Sequence, residues 1–282
     1  MKYFKDKVAV ITGAASGIGQ GLAYKCGKEG MKLIISDIDE KRLRRTERKL
    51  KREGTSQVVS VLCDVSKPSD VENLAKITMD TYGVVNLLFN NAGIAIPRLI
   101  WEYNLQEWNR VISINLMGVI HGIHIFLPIM FKQNTECHIV NTASMEGIIS
   151  RGIGGATYGV CKHAVVHLTE RLAFELEENG FDIKVSVLCP GLVKTNIFLS
   201  ALSNVPEESR TTIFNLEEMS EERIAELEQF MVESPSITPE EVAEITFNAI
   251  ENEDLYIFTH KDSAMRGLAE DRWSAILQAF ED

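Results

Sequence analysis

The sequence predicts an α/β protein with a doubly wound parallel sheet and helices on both faces, and three observations support this. Short β-branched runs alternate with long helical stretches along most of the 282 residues. The runs are apolar throughout, as expected of strands that are buried on both faces. A glycine-rich turn joins the first run to a helix. No repeat or low-complexity linker divides the chain, so a single domain is expected.

The same pattern predicts the bounds of the individual elements. The expected strands are Val8–Thr12, Lys32–Ser36, Val58–Cys63, Val85–Asn90, His138–Thr142, Ile183–Leu188 and Leu255–Phe258. Helices are expected to begin near Ile18, Glu40, Pro68, Leu105 and Ala156. A further helix is predicted after Thr238, where a threonine, a proline and a glutamate form a start signal. A closing helix is expected over 261–280.

Composition limits the partners that the chain is expected to bind. The 29 basic and 40 acidic residues leave a net charge of −11, which argues against a nucleic-acid partner. The five cysteines are widely spaced and form no CxxC pair, so buried free thiols and a cytoplasmic location are expected. The first residues run directly into a strand and lack the apolar core of a signal peptide.

One uncharged run, Val111–Phe131, is long enough to cross a bilayer. It also contains a serine, an asparagine, two histidines, a proline and two glycines. A helix enclosed on nearly all sides by other protein explains this run better, so no membrane span is predicted.

A long excursion follows the sixth predicted strand. From Thr195 to Thr238 the chain runs for about forty residues without a strand. In open α/β sheets, ligands bind at the carboxyl ends of the strands, where this excursion begins. Residues 196–237 are therefore predicted to form a substrate lid. Its apolar residues are Ile197, Phe198, Leu199, Leu202, Val205, Ile213, Phe214, Leu216 and Met219.

The segment Gly13–Gly19 contains three glycines and lies between the first strand and a helix. Glycine permits a tight turn and lets the backbone approach a pyrophosphate, while the helix N-terminus offers N–H groups to phosphates. A dinucleotide cofactor is therefore expected at this turn. Its expected contacts are Gly13, Ser16, Gly17, Ile18 and Gly19.

Asp37 ends the second strand, where a carboxylate can accept hydrogen bonds from the adenosine ribose and would repel a 2′-phosphate. NAD is therefore favoured over NADP. Asp39 is a rival for this role, and Arg42 on the following basic helix keeps NADP open. Asp64 and Val65 are candidates for the adenine edge, with an ordinary turn as the alternative.

Tyr158 and Lys162 stand four residues apart, so both project from one face of a helix. The spacing recurs at Tyr3–Lys7 and Tyr24–Lys28, but only Tyr158 opens a helix after a buried strand and Ser144. Ketone reduction needs a proton for the forming alkoxide. A lysine ammonium beside the phenol would lower its pKa from about 10 toward about 7. Ser144 would hold the substrate oxygen.

These residues together resemble the short-chain dehydrogenase/reductase family over about residues 5–195. The matching positions, in the family's order, are Thr12, Gly13, Gly17, Gly19, Asn90–Gly93, Asn115, Ser144, Tyr158, Lys162, Pro190 and Gly191. The resemblance implies a seven-stranded sheet of the Rossmann fold and hydride transfer between NAD(H) and a secondary alcohol or ketone. It also implies a homodimer or homotetramer whose interface uses the helices after Leu105 and Ala156.

The resemblance also implies roles for individual residues. Asn115, Ser144, Tyr158 and Lys162 would form the catalytic set, with Asn115 holding a water that links Lys162 to solvent. Lys162 would also bind the nicotinamide ribose. Further cofactor contacts are expected at Asn91, Ala92, Gly93, Pro190, Gly191, Val193 and Thr195. His163 and His167 lie one turn apart, but no third ligand is evident and no metal is expected.

The substrate is predicted from the apolar segments Ile94–Trp101 and Met145–Ile149 and from the lid. They suit a bulky hydrophobic alcohol or ketone, such as a hydroxysteroid. The alternative is that these residues only pack the lid onto its own subunit. Three other functions stay open: a non-catalytic NAD sensor, a reductase of small carbonyl compounds using NADP, and a sugar-nucleotide epimerase or dehydratase with bound NAD.

Overall fold

The computed structural model describes residues 1–133, 135–149, 155–195, 197 and 236–281. Its strands are β1 (Val8–Thr12), β2 (Lys32–Asp37), β3 (Val58–Leu62), β4 (Leu87–Asn90), β5 (Cys137–Thr142), β6 (Ile183–Cys189) and β7 (Tyr256–Phe258). They form one sheet in the order β3-β2-β1-β4-β5-β6-β7, and every pair is parallel. The predicted seven-stranded parallel sheet is confirmed. The strand order reverses between β1 and β4, where open α/β sheets form a ligand crevice.

The helices of the described residues connect these strands. They are α1 (Gly17–Lys28), α2 (Glu40–Arg52), α3 (Pro68–Tyr82), α4 (Leu105–Asn115), α5 (Met117–Gln133), α6 (Ala156–Glu178), α7 (Pro239–Asn252) and α8 (Ser263–Gln278). The predicted helix starts agree with these bounds to within two residues. Short 3-10 turns cover Ile100–Glu102 and Met145–Gly147.

Alternate residues of each strand pack against different helices. Ala9 and Ile11 of β1 belong to an apolar cluster with α1, α2 and α7. Val10 belongs to a second cluster, with α3, α5 and α6, on the opposite face. The sheet is therefore doubly wound, as expected. The five cysteines are buried and free, which the sequence also predicts.

Close contact between α1 and α7 depends on Gly21. A Cβ added there would lie 2.5 Å from the Pro239 carbonyl oxygen, which is too close for any side chain. Gly21 therefore brings the start of α7 directly against the helix that follows the glycine loop.

Strand β4 begins at Leu87, two residues later than predicted. The reason is a side chain that the pattern of apolar residues does not reveal. Gln133 Oε1 accepts the Val85 N–H at 2.7 Å, and Gln133 Nε2 donates to the Val85 carbonyl at 2.8 Å. Val85 is therefore bound to the end of α5 rather than to a neighbouring strand.

The uncharged run does not form the enclosed helix that was expected. It is divided at Leu116 between α4 and α5, which pack against α6 and α3 respectively. Within the described residues, Leu105–Gln133 is the one helical stretch long and apolar enough to span a membrane, yet helices of folded cores also have this character. Only 33% of its most apolar window is buried inside one chain. The expected enclosure on nearly all sides is therefore wrong for the single chain.

Most of the predicted lid, 198–235, lies outside the described residues. Its two stems are described. Val193 and Ile237 form a parallel bridge, in which Lys194 N donates to Ile237 O at 2.8 Å and Ile237 N donates to Leu192 O at 3.0 Å. The chain therefore leaves and re-enters the sheet edge at one point.

The closing helix starts slightly later than predicted. Asp262 accepts a hydrogen bond from Met265 N at 3.0 Å and so caps α8, which begins at Ser263 rather than Lys261.

Candidate active site

The glycine loop has the shape that a diphosphate requires. Gly13 and Gly17 have φ angles of +69° and +53°, which favour glycine. A Cβ added at Gly19 would lie 2.2 Å from the Gly13 carbonyl oxygen. Ser16 is the N-cap of α1 but its side chain makes no capping hydrogen bond, so the first N–H groups remain available to an anion. The residues present fit a dinucleotide diphosphate.

Asp37 and its rival Asp39 have different partners. Asp37 Oδ2 accepts the Ala15 N–H at 3.0 Å, and its Oδ1 accepts the Asp39 N–H at 2.9 Å. Its carboxylate is therefore held beside the glycine loop. Asp39 instead accepts the Arg42 N–H at 2.9 Å and caps α2. Asp37 therefore contacts the glycine loop, whereas Asp39 caps α2, and the ribose contact of Asp37 stays a prediction.

The segment after β4 is bound tightly to β1 at the strand switch. Thr12 Oγ1 accepts the N–H groups of Asn91 and Ala92 at 2.9 and 3.1 Å. The Asn91 amide Nδ2 donates to the Thr12 carbonyl at 3.0 Å. These bonds fix Gly93 at the carboxyl edge of the sheet.

Gly93 marks the point where two of the predicted catalytic side chains meet. A Cβ added there would lie 3.4 Å from Asn115 Oδ1 and 3.5 Å from Lys162 Nζ. Both side chains are almost fully buried. Asn115 of α4 and Lys162 of α6 are far apart in the chain, yet their side chains both face Gly93.

Asn115 uses both ends of its side-chain amide on the segment after β4. Its Oδ1 accepts the Ile94 N–H at 2.9 Å and its Nδ2 donates to the Ile94 carbonyl at 2.8 Å. α4 ends at this residue. These two bonds leave one N–H and one lone pair of the amide, besides the backbone, for the water that the resemblance implies at Asn115.

Lys162 is held between β5 and Tyr158. Its Nζ donates to the Thr142 carbonyl at 2.7 Å and lies 5.5 Å from the centre of the Tyr158 ring. Burial lowers the pKa of Lys162 to about 8, so the ammonium is mostly charged at neutral pH.

The environment of the Tyr158 hydroxyl differs from the expectation. Burial raises the pKa of Tyr158 and the Glu146 carboxylate raises it further, whereas a hydrogen bond with Ser144 lowers it. The predicted lowering by Lys162 is therefore not seen, because desolvation outweighs the favourable contacts. Ser144 is buried, and its hydroxyl accepts the Glu146 N–H at 3.2 Å.

The remaining cofactor candidates lie around the same crevice. Gly191 packs against His260, whose Nδ1 would lie 2.6 Å from a Cβ added at Gly191. The Gly191 N–H donates to Thr259 Oγ1 at 3.1 Å. Pro190 O accepts the Met145 N–H at 2.9 Å. Thr195 lies over the glycine loop, with its Cγ2 3.2 Å from a Cβ added at Gly17.

Asp64 and Val65 are engaged with the protein itself. The Asp64 carboxylate accepts hydrogen bonds from the backbone and hydroxyl of Ser66, at 3.1 and 2.6 Å. Val65 packs against Gly118, and its carbonyl binds His121 Nδ1 at 2.8 Å. These bonds hold both residues in the turn after β3, and their contact with the adenine edge stays a prediction.

One group at the candidate site, the Thr142 carbonyl that binds Lys162, cannot be recognised from the sequence. Thr142 takes part through its carbonyl, and any residue type supplies one. His163 and His167 look like a metal pair in sequence, but His163 binds the Gly147 carbonyl at 2.7 Å while His167 lies 3.4 Å from Glu170. No cluster of three or more metal-ligating side chains occurs among the described residues.

Comparison with known proteins agrees with this geometry. Residues 7–205 match the family model described as short chain dehydrogenase. The chain belongs to the short-chain dehydrogenase/reductase family. The resemblance inferred from the motifs is therefore confirmed, and the chain is placed among oxidoreductases.

Three members of the short-chain dehydrogenase/reductase family illustrate the likeness. A CLA biosynthesis dehydrogenase/reductase from Lactiplantibacillus plantarum is 34% identical over 98% of this chain and 95% of its own length. A diacetyl reductase, (S)-acetoin forming, from Staphylococcus epidermidis is 34% identical over 68% of this chain and 74% of its own length. A Burkholderia phymatum family member solved in complex with NAD superposes with a TM-score of 0.83, at 39% identity, covering 99% and 97% of the two chains.

Proposed function

We propose that this chain is an oxidoreductase that transfers a hydride between NAD(H) and a secondary alcohol or ketone. The observation that carries the proposal is the meeting of Asn115 and Lys162 at Gly93, with Tyr158 and Ser144 in hydrogen-bonding contact beside them. A non-catalytic sensor has no use for this buried arrangement.

The proposed cofactor is NAD, and it supplies the hydride or accepts it. The diphosphate would lie on the Gly13–Gly19 loop and the adenosine ribose beside Asp37. Lys162 would hold the nicotinamide ribose, with Pro190, Gly191, Val193 and Thr195 around the carboxamide. Asn91, Ala92 and Gly93 would line the crevice between these two regions.

Tyr158 is the proposed proton donor and acceptor. Its raised pKa keeps the phenol protonated at neutral pH, which is the form that delivers a proton to the alkoxide formed on ketone reduction. Alcohol oxidation needs the phenolate, which the hydrogen bond with Ser144 favours and which the Lys162 ammonium, 5.5 Å from the ring centre, would favour further. Ser144 would hold the substrate oxygen beside the phenol.

The proposed substrate is a bulky hydrophobic alcohol or ketone, such as a hydroxysteroid. Leu99, Ile100 and Trp101, on the segment after β4, expose 47, 56 and 78% of their surface. An exposed apolar rim of this kind suits a lipophilic ligand. The name of the Staphylococcus epidermidis relative, a diacetyl reductase, instead favours small carbonyl compounds as the second candidate.

A panel of ketones and alcohols tests the reaction and the substrate class together. Purified protein is assayed by NADH absorbance with steroids and with small polar ketones such as diacetyl. A higher kcat/KM for the bulky compounds supports the proposal, and equal or better turnover of small ketones favours the second candidate. Binding of NADH without turnover of any compound would favour the sensor.

We predict that the Asp37 carboxylate sets the preference for NAD. Asp37→Asn removes the charge that repels a 2′-phosphate, so the NADH to NADPH ratio of kcat/KM should fall at least about tenfold. Asp39→Asn is the matched control, because asparagine also caps helices and the ratio should stay unchanged. An unchanged ratio in Asp37→Asn would show that NADP exclusion lies elsewhere.

The chain is also proposed to form a cytoplasmic homodimer or homotetramer. Apolar residues on α4, α5 and α6 remain exposed in the single chain, among them Leu105, Met117, Val160 and Phe174. A second copy covering these helices would complete the burial of the uncharged run. The five buried free thiols suit a reducing compartment.

A further inference from the structure

The loop Met145–Ile149 directly follows Ser144, and we call it the serine loop. Its first turn is capped by Ser144, whose hydroxyl accepts the Glu146 N–H at 3.2 Å. Gly147 N donates back to the Ser144 carbonyl at 2.9 Å. The path of the serine loop therefore sets the direction of the Ser144 hydroxyl.

Two consecutive carbonyls of the serine loop are held by side chains from two different helices. His163 of α6 donates from Nδ1 to the Gly147 carbonyl at 2.7 Å. Arg272 of α8 donates from Nη1 to the Ile148 carbonyl. Because a carbonyl can only accept, His163 must carry its proton on Nδ1. Arg272 Nη2 lies 3.5 Å from the other ring nitrogen, Nε2.

The two side chains therefore join three elements that are distant in sequence. His163 follows Lys162 on α6, so any shift of the serine loop is coupled to the helix that carries Tyr158 and Lys162. The absence of a side chain at Gly147 lets the serine loop lie this close to α6, because an added Cβ would lie 2.6 Å from the Lys162 carbonyl oxygen.

Helix α8 is also packed onto the serine loop through apolar contacts. Met265 is 3% exposed and shares a buried cluster with Met145 and Ile149. Later residues of the helix are exposed, with Trp273 at 56% and Leu277 at 61%. The same cluster includes Val165 and Val166 of α6, so the start of α8 packs against both the serine loop and the helix that carries Lys162.

We propose that His163 and Arg272 are positioning residues that hold the Ser144 hydroxyl for the substrate oxygen, so that α8 is a working part of the active site. The inference rests on the proposed function, because it assigns Ser144 to the substrate. A loosened serine loop would misplace that hydroxyl, and small misplacements slow chemical steps strongly.

Arg272→Met removes the contact with the Ile148 carbonyl while keeping an unbranched apolar stem in place of the aliphatic part of the arginine. We expect kcat for the best substrate to fall about ten- to a hundredfold with the Kd for NADH unchanged. The deuterium isotope effect with NADH labelled at the transferred position should rise, because hydride transfer becomes slower. Arg272→Lys should recover part of the loss, since it restores one charged donor.

The matched control is Arg266→Met on the same helix. Arg266 pairs with Glu270 at the surface, at 2.6 Å, and should be silent in every measurement. His163→Asn, which keeps a donor near the Nδ1 position, should be milder than His163→Leu. Hydrogen exchange gives a readout independent of turnover: amides of 147–149 should exchange faster in Arg272→Met, with α3 unchanged.

The outcomes separate the two proposals. A wild-type protein without turnover on any substrate contradicts the proposed function, whereas the exchange result still tests the coupling of α8 to the serine loop. Wild-type kcat, isotope effect and exchange in Arg272→Met would overturn the inference. So would an equal loss in Arg266→Met. If Arg272→Met does not fold, full activity in both Arg272→Lys and His163→Leu overturns it.

Discussion

At the scale of single residues, His138 illustrates how burial selects a charge state. It lies on β5 with 0% of its surface exposed, and its Nε2 hydrogen-bonds to Ser186 Oγ at 2.8 Å. Ser186 in turn donates to the Asp254 carbonyl at 2.6 Å, so its oxygen accepts the Nε2 proton. Burial, together with the N-terminal amino group and Lys184, lowers the pKa of His138 to about 3, which keeps the ring neutral at pH 7.

This shift predicts a loss of stability in acid. The folded-state pKa lies below the unfolded value of about 6.5, so the stabilisation is complete above pH 6.5 and is lost as the pH falls toward 3. Between pH 7 and 5 the loss should be about 2 kcal/mol in the free energy of unfolding. Denaturant titrations of the wild type, His138→Gln and the exposed control His124→Gln measure it. An equal pH dependence in His138→Gln would refute the assignment.

Some features of the candidate site follow from the sequence, whereas others depend on the folded structure. The spacing of Tyr158 and Lys162 predicts their shared helix face, and the position of Ser144 after a strand predicts its place at the sheet edge. The raised pKa of Tyr158 could not be predicted in this way, because desolvation depends on atoms from many elements. The carbonyl partners of Lys162 and His163 are backbone groups, and no residue type identifies them.

At the scale of elements, the contact between α1 and α7 depends on a missing side chain. We predict that Gly21→Ala destabilises the protein by about 1–3 kcal/mol, because its Cβ would overlap the Pro239 carbonyl. Gly267→Ala in α8 is the control, since nothing lies within 4 Å of its added Cβ. It should stabilise the protein by about 0.5–1 kcal/mol, as expected for a helix interior. Thermal unfolding of both variants measures these changes in stability. An unchanged stability of Gly21→Ala would contradict the predicted overlap with the Pro239 carbonyl.

Element positions follow from the sequence better than element ends do. Apolar runs and start signals predict all seven strands and every described helix except α5, because buried strands and amphipathic helices need those patterns. The start of β4 depends on Gln133, which lies over forty residues away. The break at Leu116 accompanies the bonds between the Asn115 amide and Ile94. Such contacts exist only once the chain has folded.

At the scale of the whole molecule, the exposed apolar surface of α4, α5 and α6 predicts an assembly. Phe174 on α6 is 51% exposed. Phe174→Glu would place a charge in the proposed interface and should shift the particle toward the monomer mass in light scattering. Tyr3→Glu is the control, because Tyr3 is 83% exposed and lies on none of these three helices. A monomeric wild type, or an unshifted Phe174→Glu, would contradict the proposed assembly.

The whole molecule also accounts for the location of the chemistry. The strand order reverses between β1 and β4, and the glycine loop, Gly93 and Lys162 all lie at the carboxyl edge near this reversal. The sheet thus brings residues that follow β1, β4 and β5 in the chain into one crevice. The proposed hydride and proton transfers depend on this proximity of residues from separate elements.

The most direct test of the account is Tyr158→Phe, which removes one oxygen from the crevice. We predict that kcat falls by at least about a hundredfold, since general acid catalysis contributes about 10²–10⁴-fold. NADH binding, measured by fluorescence titration, should stay close to wild type. Tyr24→Phe, which has a lysine at the same spacing, should keep full turnover. Wild-type turnover in Tyr158→Phe would contradict the proposed role of the phenol.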